Sequence, residues 1–176
     1  MKYFDLKLYI RNLQPNDETI LSKLAKLAGY ASTSGFIKWL DDPKRDIQDF
    51  DGLIKIVKHL FPDRETEIME RYAMTLESNK KTARQMLEYL SCNRRMEAFR
   101  QLLDRMLGTT NKESLEWAKV YNLQHEWLIN SYILDKNQFL NDVSHLKVKD
   151  EYLNVFVKIM KCYIYHYKRI IKWHLR

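Results

Sequence analysis

LSKLAKLAGYASTSGFIKWL, residues 21–40, reads as two short helices joined by a tight turn at Ala28-Gly29-Tyr30. Leu24, Leu27 and Ala28 share one helical face, and Phe36, Ile37 and Leu40 share another. Ala25 supplies a small residue where the helices would cross, and Gly29 sits where the backbone needs φ > 0. Ser32, Thr33 and Ser34 are candidate N-caps for the second helix. Two readings follow: a helix-turn-helix whose second helix enters the DNA major groove, or an ordinary αα-hairpin. The turn is about one residue longer than the common helix-turn-helix form, and Gly35 falls inside the second helix, costing about 1 kcal/mol relative to Ala.

Working outward, composition favours an all-α chain. In 176 residues there are 4 Gly and 3 Pro, with Leu, Lys, Glu, Ile and Met plentiful. The length fits one domain or a small domain with an extension. No apolar run approaches the ~20 residues that span a bilayer, and the charged start MKYFDLKLYIRNL is not a secretory signal. Cys92 and Cys162 have no metal or redox spacing, so reduced thiols and a cytoplasmic location are expected. The net charge of +7 is unevenly spread: +2 over residues 1–60, −1 over 61–143 and +6 over 144–176. The global charge is therefore weak support for DNA binding. The local cluster Lys23, Lys26, Lys38, Lys44 and Arg45 is better support, because it flanks the second helix, where phosphates would lie.

Residues 1–15 alternate and carry Tyr3, Phe4, Leu6, Leu8 and Tyr9, which predicts a short strand or arm ending at Pro15. Asn16-Asp17 would cap a helix running to about Ala28. The second helix spans about 34–40 and stops at Asp41-Asp42-Pro43. A third, about 46–61, carries Phe50, Leu53, Ile54, Val57 and Leu60 on one face. These elements define a helix-turn-helix domain over residues 1–61. Beyond Pro62-Asp63 the spacing predicts helices at about 64–76, 79–91, 94–107, 111–123, 124–134, 136–143 and 150–173, joined by short polar turns. Such pairs suggest tetratricopeptide-like repeats over 62–176, although the period of about 34 residues is loosely kept; a plain bundle is the other reading. From Tyr152 to Leu175 apolar residues fall on nearly every face, and no polar cap precedes Arg176. The array is therefore expected to be incomplete, or its last helix to bury itself against a second subunit.

LAKLAGYASTSGFIKWL, IVKHLFPDRETEIMERYAMTL, KTARQMLEYLSCN and KESLEWAKVYNLQHE, in this order and spacing, resemble the arbitrium receptor (AimR) family. FLNDVSHLKVKDEYLNVFVKIMKCYIYHY extends the resemblance more weakly, and the longer turn at Gly29 fits this family better than the common helix-turn-helix. The resemblance implies a phage-encoded, peptide-sensing transcription regulator of the lysis–lysogeny decision. It also implies an N-terminal DNA-binding domain, tetratricopeptide-like repeats and a homodimer. The family's signalling-peptide pocket and main dimerisation surface lie in later repeats that these 176 residues do not reach. No peptide-contacting residue is therefore assigned, and the expected protein partners are a second copy or a longer receptor.

No enzyme constellation is present: the five His are scattered, His125-Glu126 lacks the second His of a zinc-protease helix, and there is no Gly-rich phosphate loop or nucleophile elbow. Neither a cofactor nor a metal site is expected, and Asp41-Asp42 reads as a solvated turn. The basic, aromatic end YIYHYKRIIKWHLR lacks one clean apolar stripe, so a helix without its neighbour is favoured over a lipid-bound one. The candidate DNA contacts are Ser32, Thr33, Ser34 and Lys38 for bases and phosphates, with Lys23, Lys26, Lys44 and Arg45 gripping the backbone. The alternative to double-stranded DNA binding is a helical-repeat module that binds another protein.

Overall fold

The computed structural model describes residues 5–13, 19–130 and 135–174. Among them are ten helices and no strand: α1 (Leu6–Arg11), α2 (Ile20–Leu27), α3 (Thr33–Asp41), α4 (Phe50–Leu60), α5 (Glu65–Thr75), α6 (Lys81–Cys92), α7 (Met96–Leu107), α8 (Lys112–Asn130), α9 (Lys136–His145) and α10 (Glu151–His174). The all-α expectation holds. The chain forms two compact units, one up to Arg105 and one from Met106.

In the first unit, α1 and α2 pack on α3, α2 on α4, α4 on α5 and α5 on α6. Its core includes Leu6, Ile10, Leu24, Phe36, Trp39, Leu53, Ile56, Met69, Met86 and Leu87. The predicted strand near the start is helix α1 instead. Leu6 and Ile10, one turn apart, are fully buried, whereas Leu8, which completed the alternation, is 58% exposed. Asp5 caps this helix by accepting from the Leu8 amide. Asn16-Asp17 and Pro15 lie outside the described residues. The third predicted helix starts later than expected, at Phe50, because Asp49 accepts from the Asp51 and Gly52 amides and fixes the start there.

Two helix ends carry the Schellman arrangement. After α2, the Tyr30 amide donates to the Ala25 carbonyl and Gly29 to Lys26, with Gly29 at φ +74°. After α6, Arg95 donates to Leu90 and Arg94 to Ser91, and the left-handed position is filled by Arg94 at φ +55°. Gly52 marks a close approach between helices. A Cβ there would lie 2.6 Å from the Ala28 Cα, so α4 approaches the end of α2 over a glycine.

The second unit contains α8, α9 and α10, with α10 packed on both others. The predicted helices at 111–123 and 124–134 are one helix through Asn130. No Gly or Pro interrupts it, and the Asn122 amide reaches Glu126 across the expected break. Tyr152, Trp117, Tyr121 and Phe156 form a run of stacked rings, with centroids 5.6, 5.8 and 5.4 Å apart along the series. Asp150 accepts from the Trp117 indole N–H and from the Leu153 amide.

In the described part of α10 the apolar residues divide between a buried stripe and exposed positions, among them Tyr165 on a further face. Leu153, Val157, Met160 and Ile164 are buried, while Tyr152, Val155, Ile159 and Tyr163 are exposed on a separate face. Ile170, Ile171, Trp173 and Leu175, counted in the sequence expectation, lie outside the described side chains. Among the described residues, no helix is long and apolar enough to cross a membrane.

Candidate nucleic-acid interface

Helix α3 is positioned by one face and leaves the other to solvent. Phe36, Trp39 and Leu40 are buried, and Ser34, Lys38 and Asp41 are exposed. Ser34 and Lys38 are one turn apart, so they share the outward face, with half-buried Ile37 beside them. Asp41 on the same face pairs with Arg11 of α1 at 3.2 Å, which partly offsets its negative charge. Thr33 is the first residue of the helix and half-buried.

Ser32 caps α3. Its Oγ accepts from the Gly35 amide at 3.3 Å and lies 3.0 Å from the Ser34 Oγ. A contact to DNA from Ser32 would have to be made by a hydroxyl already committed to the helix start. Gly35, an objection at the sequence level, has a steric reason: a Cβ there would meet the Tyr30 ring at 3.2 Å. Tyr30 packs edge-on to Phe36 with centroids 5.5 Å apart, and its hydroxyl accepts from the Gln48 amide. Burial raises its pKa above the ordinary tyrosine value.

Lys23 and Lys26 are exposed on α2, whose buried residues are Leu21, Leu24 and Ala25. Lys44 and Arg45 are exposed in the loop that follows α3. Among the described residues, no carboxylate forms an ion pair with Lys26, Lys38, Lys44 or Arg45. The eight candidates thus fall on three consecutive pieces of chain: α2, α3 with its cap, and the loop after α3.

Sequence reasoning missed the residues that hold this loop. Lys7 of α1 is 9% exposed; its ammonium donates to the Asp42 carbonyl at 2.7 Å and the Arg45 carbonyl at 3.1 Å, and stands 5.0 Å from the Trp39 ring centroid. Desolvation pulls its pKa down to about 8, against the attraction of Asp42, Asp5 and Asp46. Asp42 accepts from the Lys44 amide, and Arg45 donates back to the Asp42 carbonyl. Asp46 accepts from the Lys81 amide and the Thr82 hydroxyl at the start of α6. No local pattern signals the partners of Lys7 and Asp46, which lie 35 to 38 residues away in sequence.

The remaining chemistry is sparse. No group of three or more His, Cys, Asp or Glu among the described residues could hold a metal ion. An open, mixed-charge basin of about 850 Å³ lies in the second unit, lined by Lys112, Glu116, Lys119, His145, Lys147 and Asp150 among others.

The helices and the basic flanks of α3 do not by themselves name a class; comparison with known proteins does. The AimR transcriptional regulator of Bacillus phage phi3T is 33% identical over 156 residues, covering 89% of this chain and 41% of that protein. The AimR transcriptional regulator of Bacillus phage SPbeta is 29% identical over 152 residues, covering 86% of this chain and 38% of that protein. The solved structure of SeMet-phAimR superposes with a TM-score of 0.78 at 33% identity, over 97% of this chain and 44% of that one. The chain therefore spans about four-tenths of the relatives it matches. The family model for AimR transcriptional regulator-like proteins matches residues 65–172. The chain belongs to the AimR family of transcriptional regulators.

Proposed function

We propose that this chain is a DNA-binding transcription regulator, with residues 1–61 as its helix-turn-helix domain and 62–176 as tetratricopeptide-like repeats. One observation carries the reading. The outward face of α3 presents Ser34 and Lys38, and its flanks expose Lys23, Lys26, Lys44 and Arg45. Ser34 and Lys38 reach base edges, with Thr33 and Ser32 at the helix start, while the flanking cations hold phosphates. The chain works without covalent chemistry in the bacterial cytoplasm, in the lysis–lysogeny control to which its family resemblance points.

The test is fluorescence anisotropy on promoter DNA of a Bacillus phage that encodes an AimR regulator and on random DNA, across a salt series. Lys38→Ala lowers the ratio of specific to random affinity. Lys44→Ala together with Arg45→Ala weakens binding to both DNAs and flattens the dependence of log K on log salt by about two. Equal affinity for promoter and random DNA, with no effect of these substitutions, sinks the reading.

A second reading, a protein-binding module, is favoured by one feature: Tyr152, Val155, Ile159 and Tyr163 expose 49, 54, 45 and 68% of their surface along one face of α10. A second copy or a longer receptor covers this face in that reading. Co-purification of a full-length receptor in the absence of any sequence-selective DNA shift would favour it over the first.

A further inference from the structure

We propose that Asp46 is a positioning residue through which α6 holds the loop presenting Lys44 and Arg45, so that displacing α6 releases that loop. Its consequence for DNA rests on the reading above; the tether itself does not.

Helix α6 lacks a cap of its own. Its N-cap residue, Lys80, makes no side-chain bond to the helix start. The orphan amide of Lys81 donates instead to the Asp46 Oδ2 at 3.1 Å, and the Thr82 hydroxyl donates to Oδ1 at 2.9 Å. Thr82 is 1% exposed and Asp46 half-buried, so this bond is partly shielded from water. A carboxylate at a helix N-terminus is favoured by the unsatisfied N–H groups and by the helix dipole. Here that carboxylate belongs to the loop after α3, so the cap of one helix is also the anchor of another segment.

The other ties of the loop show what Asp46 adds. Lys7 holds the carbonyls of Asp42 and Arg45 from α1, and Tyr30 holds the Gln48 amide. Both belong to the same group of short helices as the loop. Asp46 bonds the loop to α6, a helix inside the span matched by the AimR family model, while Phe50, where the loop enters α4, packs edge-on to Tyr89 of α6. Helix α6 is in turn bonded to its neighbours: the Tyr89 hydroxyl donates to Glu65 of α5, and Arg95, just after α6, makes a two-pronged pair with Glu70. A shift of this helix pair therefore pulls on Asp46. A small pocket of about 80 Å³ adjoins the loop, lined by Lys7, Arg45, Asp46, Tyr72 and Lys80 among others.

Thr82→Val removes one bond to Asp46 while keeping the buried shape and leaving the loop sequence unchanged. Thr82→Ser keeps the hydroxyl and serves as the conservative control. Native-state trypsin digestion of the full chain reads the tether directly, because Lys44 and Arg45 are themselves cleavage sites. Loss of a bond to a charged group should speed cleavage after Lys44 and Arg45 by about tenfold in Thr82→Val, with other sites unchanged and Thr82→Ser like the parent. Unchanged loop cleavage, or the same acceleration at every site, overturns the proposal.

The DNA arm uses the same salt series. Thr82→Val should flatten the salt dependence by about one, and should add nothing when Lys44 and Arg45 are already Ala. Additive losses in the triple variant overturn the coupling through the loop. Local acceleration of cleavage in a protein whose DNA binding ignores Lys44 and Arg45 leaves the tether standing and removes the DNA reading instead.

Discussion

At the scale of single residues, the two Schellman turns have the same bonds but different occupants of the left-handed position. Gly29 takes φ +74° without a Cβ penalty, whereas Arg94 takes φ +55° with one. Arg94→Gly should therefore raise stability by about 1 kcal/mol, offset in part by the entropy glycine adds to the unfolded chain. A urea titration checks this through a higher midpoint at unchanged slope. Lys7 gives a prediction in pH. Its folded pKa of about 8 lies below the ordinary 10.5, so the unfolded chain holds more protons between those values and stability gains as pH rises through that window. Above pH ~10 the sign reverses, because Tyr89 is pushed up to about 12 by burial and its bond to Glu65, and Tyr72 is raised by burial, so both keep protons that the unfolded chain releases. The Lys7→Met variant should lack the rise between pH 8 and 10. Identical pH profiles of melting temperature for the two proteins would show that Lys7 carries no such shift.

At the scale of elements, the Gly52 contact sets how closely α4 approaches the end of α2. A methyl on Gly52 would sit 2.6–2.8 Å from the Cα, carbonyl carbon and oxygen of Ala28, all backbone atoms that cannot rotate away. Gly52→Ala gains about 1 kcal/mol of helix propensity but forces α2 and α4 apart, an overpacking cost of about 2–3 kcal/mol. A net loss of about 1–2 kcal/mol in denaturant unfolding is expected. An equally stable variant would mean that the helices can slide. This contact also marks what sequence could convey. Gly29 was legible because a positive-φ turn is a local demand, and the periodic face of α4 was legible because Leu53 and Val57 repeat it. Gly52 was not, since the reason for it lies across the packing interface at Ala28. Nor was α1: Leu6, Leu8 and Tyr9 suit a strand as well as a helix, and burial of Leu6 with Ile10 decides between them. The candidate site divides in the same way. Exposed cations and the Ser32 cap follow from composition and capping rules, while Lys7, Tyr30 and Asp46 act through partners well separated in sequence.

At the scale of the whole molecule, α10 divides its apolar residues between the core of the second unit and the surface. Its buried stripe of Leu153, Val157, Met160 and Ile164 accounts for its packing within the second unit. The exposed Val155, Ile159 and Tyr163, with Tyr152 stacked on Trp117 at one end of the stripe, leave apolar surface in water, and each Å² that a partner could cover is worth about 25 cal/mol. A two-fold pair of α10 helices would set these residues against their own copies, since such an interface uses the same patch on both chains. Light scattering is expected to report a dimer for the unmodified chain. Ile159→Glu places a charge in the middle of the stripe without touching the buried face, so it should give a monomer with an unchanged helical circular dichroism signal. The monomer should also bind operator DNA more weakly, with half-site stoichiometry, because dimers gain from engaging two half-sites at once. A monomeric parent chain would remove the α10 pairing, and a dimer that survives Ile159→Glu would place the interface on another face.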